Sequence, residues 1–247
     1  MNHRPFALAS LAASLVLEDI TLLSPAHAEE TAAPTGTWEP GVAITNDRVR
    51  RGISQTREDP AVIGEIKWTD PFGVMLGIWG SNLNYGRRSD ARAEVDLFAG
   101  YTHSFDNSEL EAAILRQYAP ARTGNIEFTE YKLAVGRAMG IVAVNIGAFY
   151  SPKYYIGGQS FYPYIDGRIR LAAVQGVELS LRAHFGASRF SGHQFDNYDD
   201  GAIGFSAHRH KVYLSALYSR SNLTPLSTLY NSDLATRQFT VTITRMF

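Results

Sequence analysis

Cysteine is absent from the chain. That excludes a disulfide framework and any thiolate-ligated metal centre, and it suits a polypeptide that crosses an oxidising compartment. Net charge is almost absent as well. The 23 basic residues nearly balance 24 acidic ones and no basic run stands out, which argues against a nucleic-acid footprint. Beyond the N-terminus no apolar stretch reaches the ~18 residues of a membrane-spanning helix. No amphipathic helix of useful length, domain boundary or internal repeat is evident either. A barrel strand asks for less: about ten alternating residues, half of which are free to be polar.

What is present favours strands. The 247 residues suffice for one large domain, and 21 glycines with 13 Tyr and 13 Phe suit β-structure with many turns. The first residues read as an export signal. Arg4 gives a positive start, FALASLAASLVL an apolar core, and Ala26-His27-Ala28 a cleavage site. Glu18-Asp19 makes the stretch after the core long and polar, and a buried N-terminal helix is the competing interpretation. Residues 1–28 are thus expected as a signal peptide, 29–37 as a flexible lead-in and 38–247 as the folded domain. Cleavage after Ala28 would remove one base and two acids and leave the remainder formally neutral.

Alternating segments then follow almost without interruption, at 38–48, 61–69, 73–83, 93–104, 108–118, 126–138, 140–150, 161–174, 176–187, 197–208, 210–220 and 236–247. Their connections alternate too. TDPFG, SFDNS, the region around Met139-Gly140, VQG and RHK are tight and rich in turn residues. DRVRRGISQTREDP, NYGRRSDAR, SPKYYIGGQS and SNLTPLSTLYN, among others, are long and polar. Short turns at one rim and long loops at the other fit an up-and-down antiparallel barrel of about twelve strands. A Greek-key sandwich has no reason to produce that alternation.

The parity of each strand sets the orientation. One face carries Trp38, Val42 and Ile44, then Val95 and Leu97, Leu133 and Val135, Val144 and Ile146, and finally Phe239, Val241, Ile243 and Phe247. The other carries Glu94, Asp96, Glu109, Glu111, Glu130, Lys132, Asp166, Arg168, Arg170, Glu178, Arg182 and His184. A water-soluble barrel buries its apolar parity. So many mid-strand charges avoid a low-dielectric setting only around a wet lumen or in pairs across it. The expectation is a transmembrane β-barrel in a bacterial outer membrane, apolar face to lipid, with both termini in the periplasm. Its expected partners are membrane lipid and lipopolysaccharide, small polar solutes, and the barrel assembly machinery that reads a terminal aromatic strand. Arg245 stands where that C-terminal pattern is usually apolar, at a depth where an arginine costs only about 0–1 kcal/mol.

Several stretches resemble the TorF-type putative porin family. They are NDRVRRGISQTREDPAV, GVMLGIWGSNLNY, EVDLFAGYTHSF and YSPKYY. The most specific is the RG-x-SQT motif, carried by Arg51, Gly52, Ser54, Gln55 and Thr56, with Pro60 following. With matching spacing the resemblance covers roughly residues 41–247. It implies a barrel and a pore, without a substrate or cofactor. Arg48 and Arg50 stand where family members usually carry aromatics.

Four candidate sites follow. Inward acids gather on the fourth to sixth strands (Glu94, Asp96, Glu109, Glu111, Glu130) and bases on the eighth and ninth (Arg168, Arg170, Arg182, with His184). Opposed walls of that kind would set a transverse field over a narrow pore. Lys132 and Asp166 are expected to line the pore with them, and the competing outcome is a lumen plugged by a network of ion pairs. Arg48, Arg50, Arg51 and Arg57, around Gly52, Ser54 and Gln55, are expected at the extracellular rim, as lipopolysaccharide-phosphate ligands or as ordinary solvated loop charge. His208 and His210 at one rim and His193 at the other cannot share a metal ion, so none is expected. Ser180, His184 and Glu178 share a strand face at spacings too long for a nucleophile–base pair, so no enzyme is expected either.

Overall fold

The computed structural model describes residues 36–86, 89–122, 124–155, 158–192, 195–223, 234–235 and 237–247. The expected signal peptide, the lead-in before residue 36, and His193 lie outside the described residues.

The strands are β1 (Thr37–Thr45), β2 (Val49–Arg50), β3 (Ile53–Ser54), β4 (Ala61–Thr69), β5 (Val74–Asn82), β6 (Ala93–Phe105) and β7 (Ser108–Ala119). They continue as β8 (Ile126–Met139), β9 (Val142–Ser151), β10 (Ser160–Val174), β11 (Val177–Phe190), β12 (Tyr198–Arg209), β13 (Val212–Ser221) and β14 (Gln238–Met246). All except β2 and β3 form one closed antiparallel barrel of sequential neighbours, with β1 seated between β14 and β4. Closure pairs Ile44 with Ile243 on one side and with Val62 on the other. A closed ring leaves no strand edge without a ladder partner, which a hydrocarbon surround requires.

The twelve expected strands are therefore observed, with ends shifted by a few residues. The ninth runs three residues longer, to Phe190, and the first three shorter, stopping at Thr45 rather than at 48. There the Thr45 hydroxyl donates to the Asp47 carbonyl at 2.8 Å, and the Asn46 amide brackets β14 by bonding Phe239 O and Val241 N. That local bonding turns the chain off the wall.

Short turns close one rim. Gly73, Asp106, Gly140, Gln175 and His210 each take a positive φ there, as tight hairpins with right-handed strand twist demand. The Asp70 carboxylate fixes the first of these turns by accepting from the backbone N–H groups of Phe72 and Val74 at 2.9 and 2.8 Å. The barrel's first and last strands meet at the same rim, where Phe247 N donates to Pro40 O at 2.9 Å.

Parity decides exposure as expected. On β8, Leu133 is 59% exposed while its neighbour Lys132 is 6% exposed. On β14, Ile243 is 56% exposed and Thr242 only 4%. The outward residues of every barrel strand make a continuous apolar girdle, the surface that hydrocarbon accommodates and water does not.

The interior is less polar than the sequence implies. Between charged tiers lies a layer containing Trp79, Phe98, Leu115, Phe149, Tyr162 and Tyr164. These residues share the inward parity with the charges. Tyr162 reaches across to β11 because Gly186 leaves room; a Cβ at 186 would overlap its phenol.

Candidate functional site: a hairpin across the lumen

The first long connection does not stand out from the rim. It turns inward, and its centre forms the two-stranded ladder of β2 and β3, with Val49 paired to Ser54 and Arg50 to Ile53. Arg51 (φ 49°) and Gly52 (φ 71°) make the turn, both in the left-handed region that a two-residue hairpin of this hand requires. Glycine at 52 has a second reason. A Cβ there would sit 2.7 Å from Asp200 Cβ on β12 and 3.0 Å from Ser221 Cβ on β13. The tip therefore abuts the wall formed by β12 and β13.

The motif residues build this hairpin. Asp47 Oδ1 accepts from Ser54 Oγ at 2.6 Å and from Thr56 Oγ1 at 2.9 Å, tying the two arms together. Thr56 Oγ1 accepts in turn from Arg48 N at 3.0 Å, and Gln55 N donates to Arg48 O at 2.6 Å. Gln55 latches the unit to the next long connection: Asn84 N donates to its carbonyl at 3.0 Å, and Tyr85 OH to its Oε1 at 2.8 Å. Burial, reinforced by the Glu94 carboxylate, raises the Tyr85 pKa above the usual phenol range and keeps that donor protonated. Val49 and Ile53 are buried, so folding inward hides apolar surface that a solvated loop would expose.

Three arginines anchor the hairpin to the acidic wall. Arg48 forks onto Glu94 of β6 at 3.0 and 3.3 Å and stacks 4.4 Å over the Trp79 ring. Arg50 donates to Glu130 of β8 at 2.8 Å and to Gln117 of β7 at 2.5 Å. Arg51 meets both Glu130 oxygens, at 3.1 and 3.2 Å, and lies 4.1 Å over the Tyr162 ring. Gln117 Nε2 completes the group by donating to Glu130 at 3.0 Å. Glu130 is wholly buried, and its carboxylate holds two guanidiniums. Wall contacts on β5, β6, β7, β8, β10, β12 and β13 place the hairpin across the lumen.

The rim position expected for Arg48, Arg50, Arg51, Gly52, Ser54 and Gln55 is thus corrected. All six sit inside the barrel, and only Arg57 of the four loop arginines is exposed. The reason is complementary: buried Val49 and Ile53 favour inward folding, and wall carboxylates await the arginines that travel with them. In this arrangement the three paired arginines do not present themselves to lipopolysaccharide phosphates.

The other expected site residues face the interior, but the acidic and basic walls are not bare. Lys132 meets both Glu111 oxygens at 3.0 Å, and Lys67 meets Glu39 at 2.7 Å. Arg170 is 3.3 Å and Arg168 4.0 Å from Glu178, and Arg182 stands opposite Arg168 in the ladder. His184 Nδ1 is 2.7 Å from Asp166, and its Nε2 is 2.8 Å from Tyr162 OH and 3.2 Å from Asp200. Both nitrogens are turned to those groups, so Ser180 gains no base. Asp96 is buried, and its Oδ1 has no hydrogen-bond partner among the described residues.

His208 lies at the short-turn rim, stacked on Tyr213 with ring centroids 4.3 Å apart. Among the described residues no cluster of three or more His, Asp or Glu side chains is arranged to hold a metal ion. Sequence reasoning missed Asp47, Gln117 and Trp79, and gave Thr56 and Asp200 no part in a hairpin inside the lumen. Only Asp47 left a trace: a carboxylate seven and nine residues before two hydroxyls, in a segment rich in turn residues.

Above the hairpin, at the long-connection end, lies a cavity of about 340 Å³. Phe128, Tyr154, Phe195 and Tyr198 contribute its aromatic wall, and Arg50, Gln55, Glu94 and Gln117 its polar edge.

Residues 28–247 match the family described as bacterial protein of unknown function (Gcw_chp), and the chain belongs to that family. No curated protein matches it. Among solved structures it is similar to an outer membrane channel from Pseudomonas putida F1, with 13% identity and a TM-score of 0.52, over 90% of this chain and 99% of that one. LpxR from Salmonella typhimurium is similar at 10% identity and a TM-score of 0.50, over 85% of this chain and 99% of that one. The NanC porin has 8% identity and a TM-score of 0.50, again over 85% and 99%. At such identities the likeness carries the fold: a barrel of the outer-membrane type.

Proposed function

We propose that this Gcw_chp-family barrel is an outer-membrane channel for small hydrophilic solutes, narrowed by the β2–β3 hairpin. The observation that carries the reading is the opposition of faces, an apolar girdle outside and a charged, hydrogen-bonding interior that the hairpin crosses. A barrel serving only as a scaffold has no need of ionic groups along its inner wall, because each costs desolvation to enclose. The TorF-type resemblance points the same way, as does the fold shared with an outer membrane channel.

The hairpin sets the selectivity. With Glu94 and Glu130 neutralised by loop arginines, the upper acidic wall loses most of its field. The lower lumen holds Arg168, Arg170 and Arg182 on β10 and β11, with Glu178 beside the first two, and Glu109 and Glu111 on β7, with Lys132 beside the latter. A solute therefore meets a constriction first and a transverse field second. Short turns face the periplasm in this reading, and the long connections face outward.

A specific observation favours a second reading. The paired charges and the aromatic layer together would seal the lumen, leaving a non-conducting structural or surface-binding barrel. Purified protein in planar bilayers separates the two. The channel reading expects discrete conductance steps, with ion selectivity altered by Arg168→Gln and Arg170→Gln. Silence from both the native chain and a form with residues 48–57 replaced by a short Gly-Ser linker would establish the sealed barrel instead.

A further inference from the structure

We infer that the cavity above the hairpin is a binding site for a neutral saccharide of one or two rings. As the entry station of the proposed channel this rests on the channel reading; as a binding site it stands on the geometry alone.

The cavity's walls name the ligand. Phe128 and Tyr154 pack with centroids 4.2 Å apart, and Phe195 meets Tyr154 at 5.6 Å, giving a contiguous aromatic shelf. Such a shelf recognises a flat, weakly polar face. A pyranose supplies one through its axial C–H groups and directs hydroxyls from its edge. Planar groups that bond paired hydroxyls stand along that edge: the Arg50 guanidinium and the Gln55 and Gln117 amides. The volume of about 340 Å³ falls at the small end of the range of ~300–1,000 Å³ for ligand sites.

Charge excludes the alternatives. Arg50 and Arg51 are both held by Glu130, and Glu94 by Arg48, so each charged group on the lining already stands in a buried pair. An anion seeking Arg50, or a cation seeking Glu94, would have to break a buried pair and strand its other half. A neutral polyol asks only for the lone pairs and N–H groups at the edges of those pairs. A bare aromatic solute would use the shelf but leave the polar edge dehydrated and unmatched.

Calorimetric titration of the intact, detergent-solubilised protein tests this. Maltose is expected to bind saturably, and Tyr154→Ala and Phe195→Ala should each weaken it at least tenfold while keeping the compact electrophoretic mobility of the folded barrel. If one variant fails to fold, the other carries the comparison. Three results would each overturn the site: no heat of binding from maltose, tighter binding of glutamate, lysine or phenol than of maltose, or unchanged affinity in both variants. Maltose binding by a barrel silent in bilayers would leave the site standing and remove the channel. Conductance without maltose binding would do the reverse.

Discussion

Glu130 is the residue on which the hairpin's position turns, and Glu130→Ala is the sharpest perturbation of it. Its carboxylate receives Arg50 at 2.8 Å, Arg51 at 3.1 and 3.2 Å, and Gln117 at 3.0 Å, with no exposure to solvent. Removing one partner of a buried ion pair costs about 3–5 kcal/mol, chiefly because the other partner stays buried and uncompensated. Here two guanidiniums are left, and their mutual repulsion adds to the cost. The barrel has a cheaper response than unfolding. Its wall is held by twelve backbone ladders in which the Glu130 carboxylate takes no part, so the loss falls on hairpin docking. At 1.4 kcal/mol per factor of ten, even 3 kcal/mol raises the undocked population about a hundredfold. Because the chain has no cysteine, Ile53→Cys gives a clean reporter, as Ile53 is buried at the docked hairpin. Maleimide should label it slowly in the native background and far faster with Glu130→Ala, while bilayer conductance rises and the β-type circular dichroism is unchanged. Equal labelling rates in the two backgrounds would refute the reasoning.

Asp47→Ala removes the acceptor shared by Ser54 and Thr56; it should loosen the hairpin by about 1–3 kcal/mol and speed Ile53→Cys labelling less than Glu130→Ala does. Ile243→Arg, on the outward parity, should destabilise the barrel in lipid by about 2–4 kcal/mol if it lies near the bilayer midplane, read from urea-dependent folding into vesicles. Thr242→Ala, one residue away and facing inward, should change the same measurement by less than about 1 kcal/mol.

The barrel was legible because its signal is repetitive. The Lys132–Leu133 contrast recurs on nearly every strand, and a period of two can mean little else when long and short connections also alternate. The inward charges were legible for the same reason. The hairpin was not, and the reason is physical. Two-residue strands such as Val49–Arg50 and Ile53–Ser54 are too short for periodicity to register. A run of arginines beside a barrel also looks like solvated loop charge until the acids across the lumen are placed opposite it. Glu94 and Glu130 lie 46 and 80 residues from Arg48 and Arg50, a pairing that only closure of the ring brings about. The motif residues Gly52, Ser54, Gln55 and Thr56 announced that the segment mattered, and its turn chemistry was present in Arg51-Gly52. Its direction, inward, depended on the wall.

The docked hairpin is best tested by tethering its tip to the wall it is said to reach. A Cβ at position 52 lies 3.0 Å from that of Ser221 and 2.7 Å from that of Asp200, so a shift of the tip by about 1 Å away from the wall relieves both contacts and brings the first pair into the ~3.5–4.5 Å separation of a disulfide. The double variant Gly52→Cys with Ser221→Cys should cross-link on mild oxidation of the folded protein, and reduction should raise its bilayer conductance. Two thiols that stay reduced under oxidant, and both react freely with maleimide, would place the hairpin outside the lumen and contradict the account.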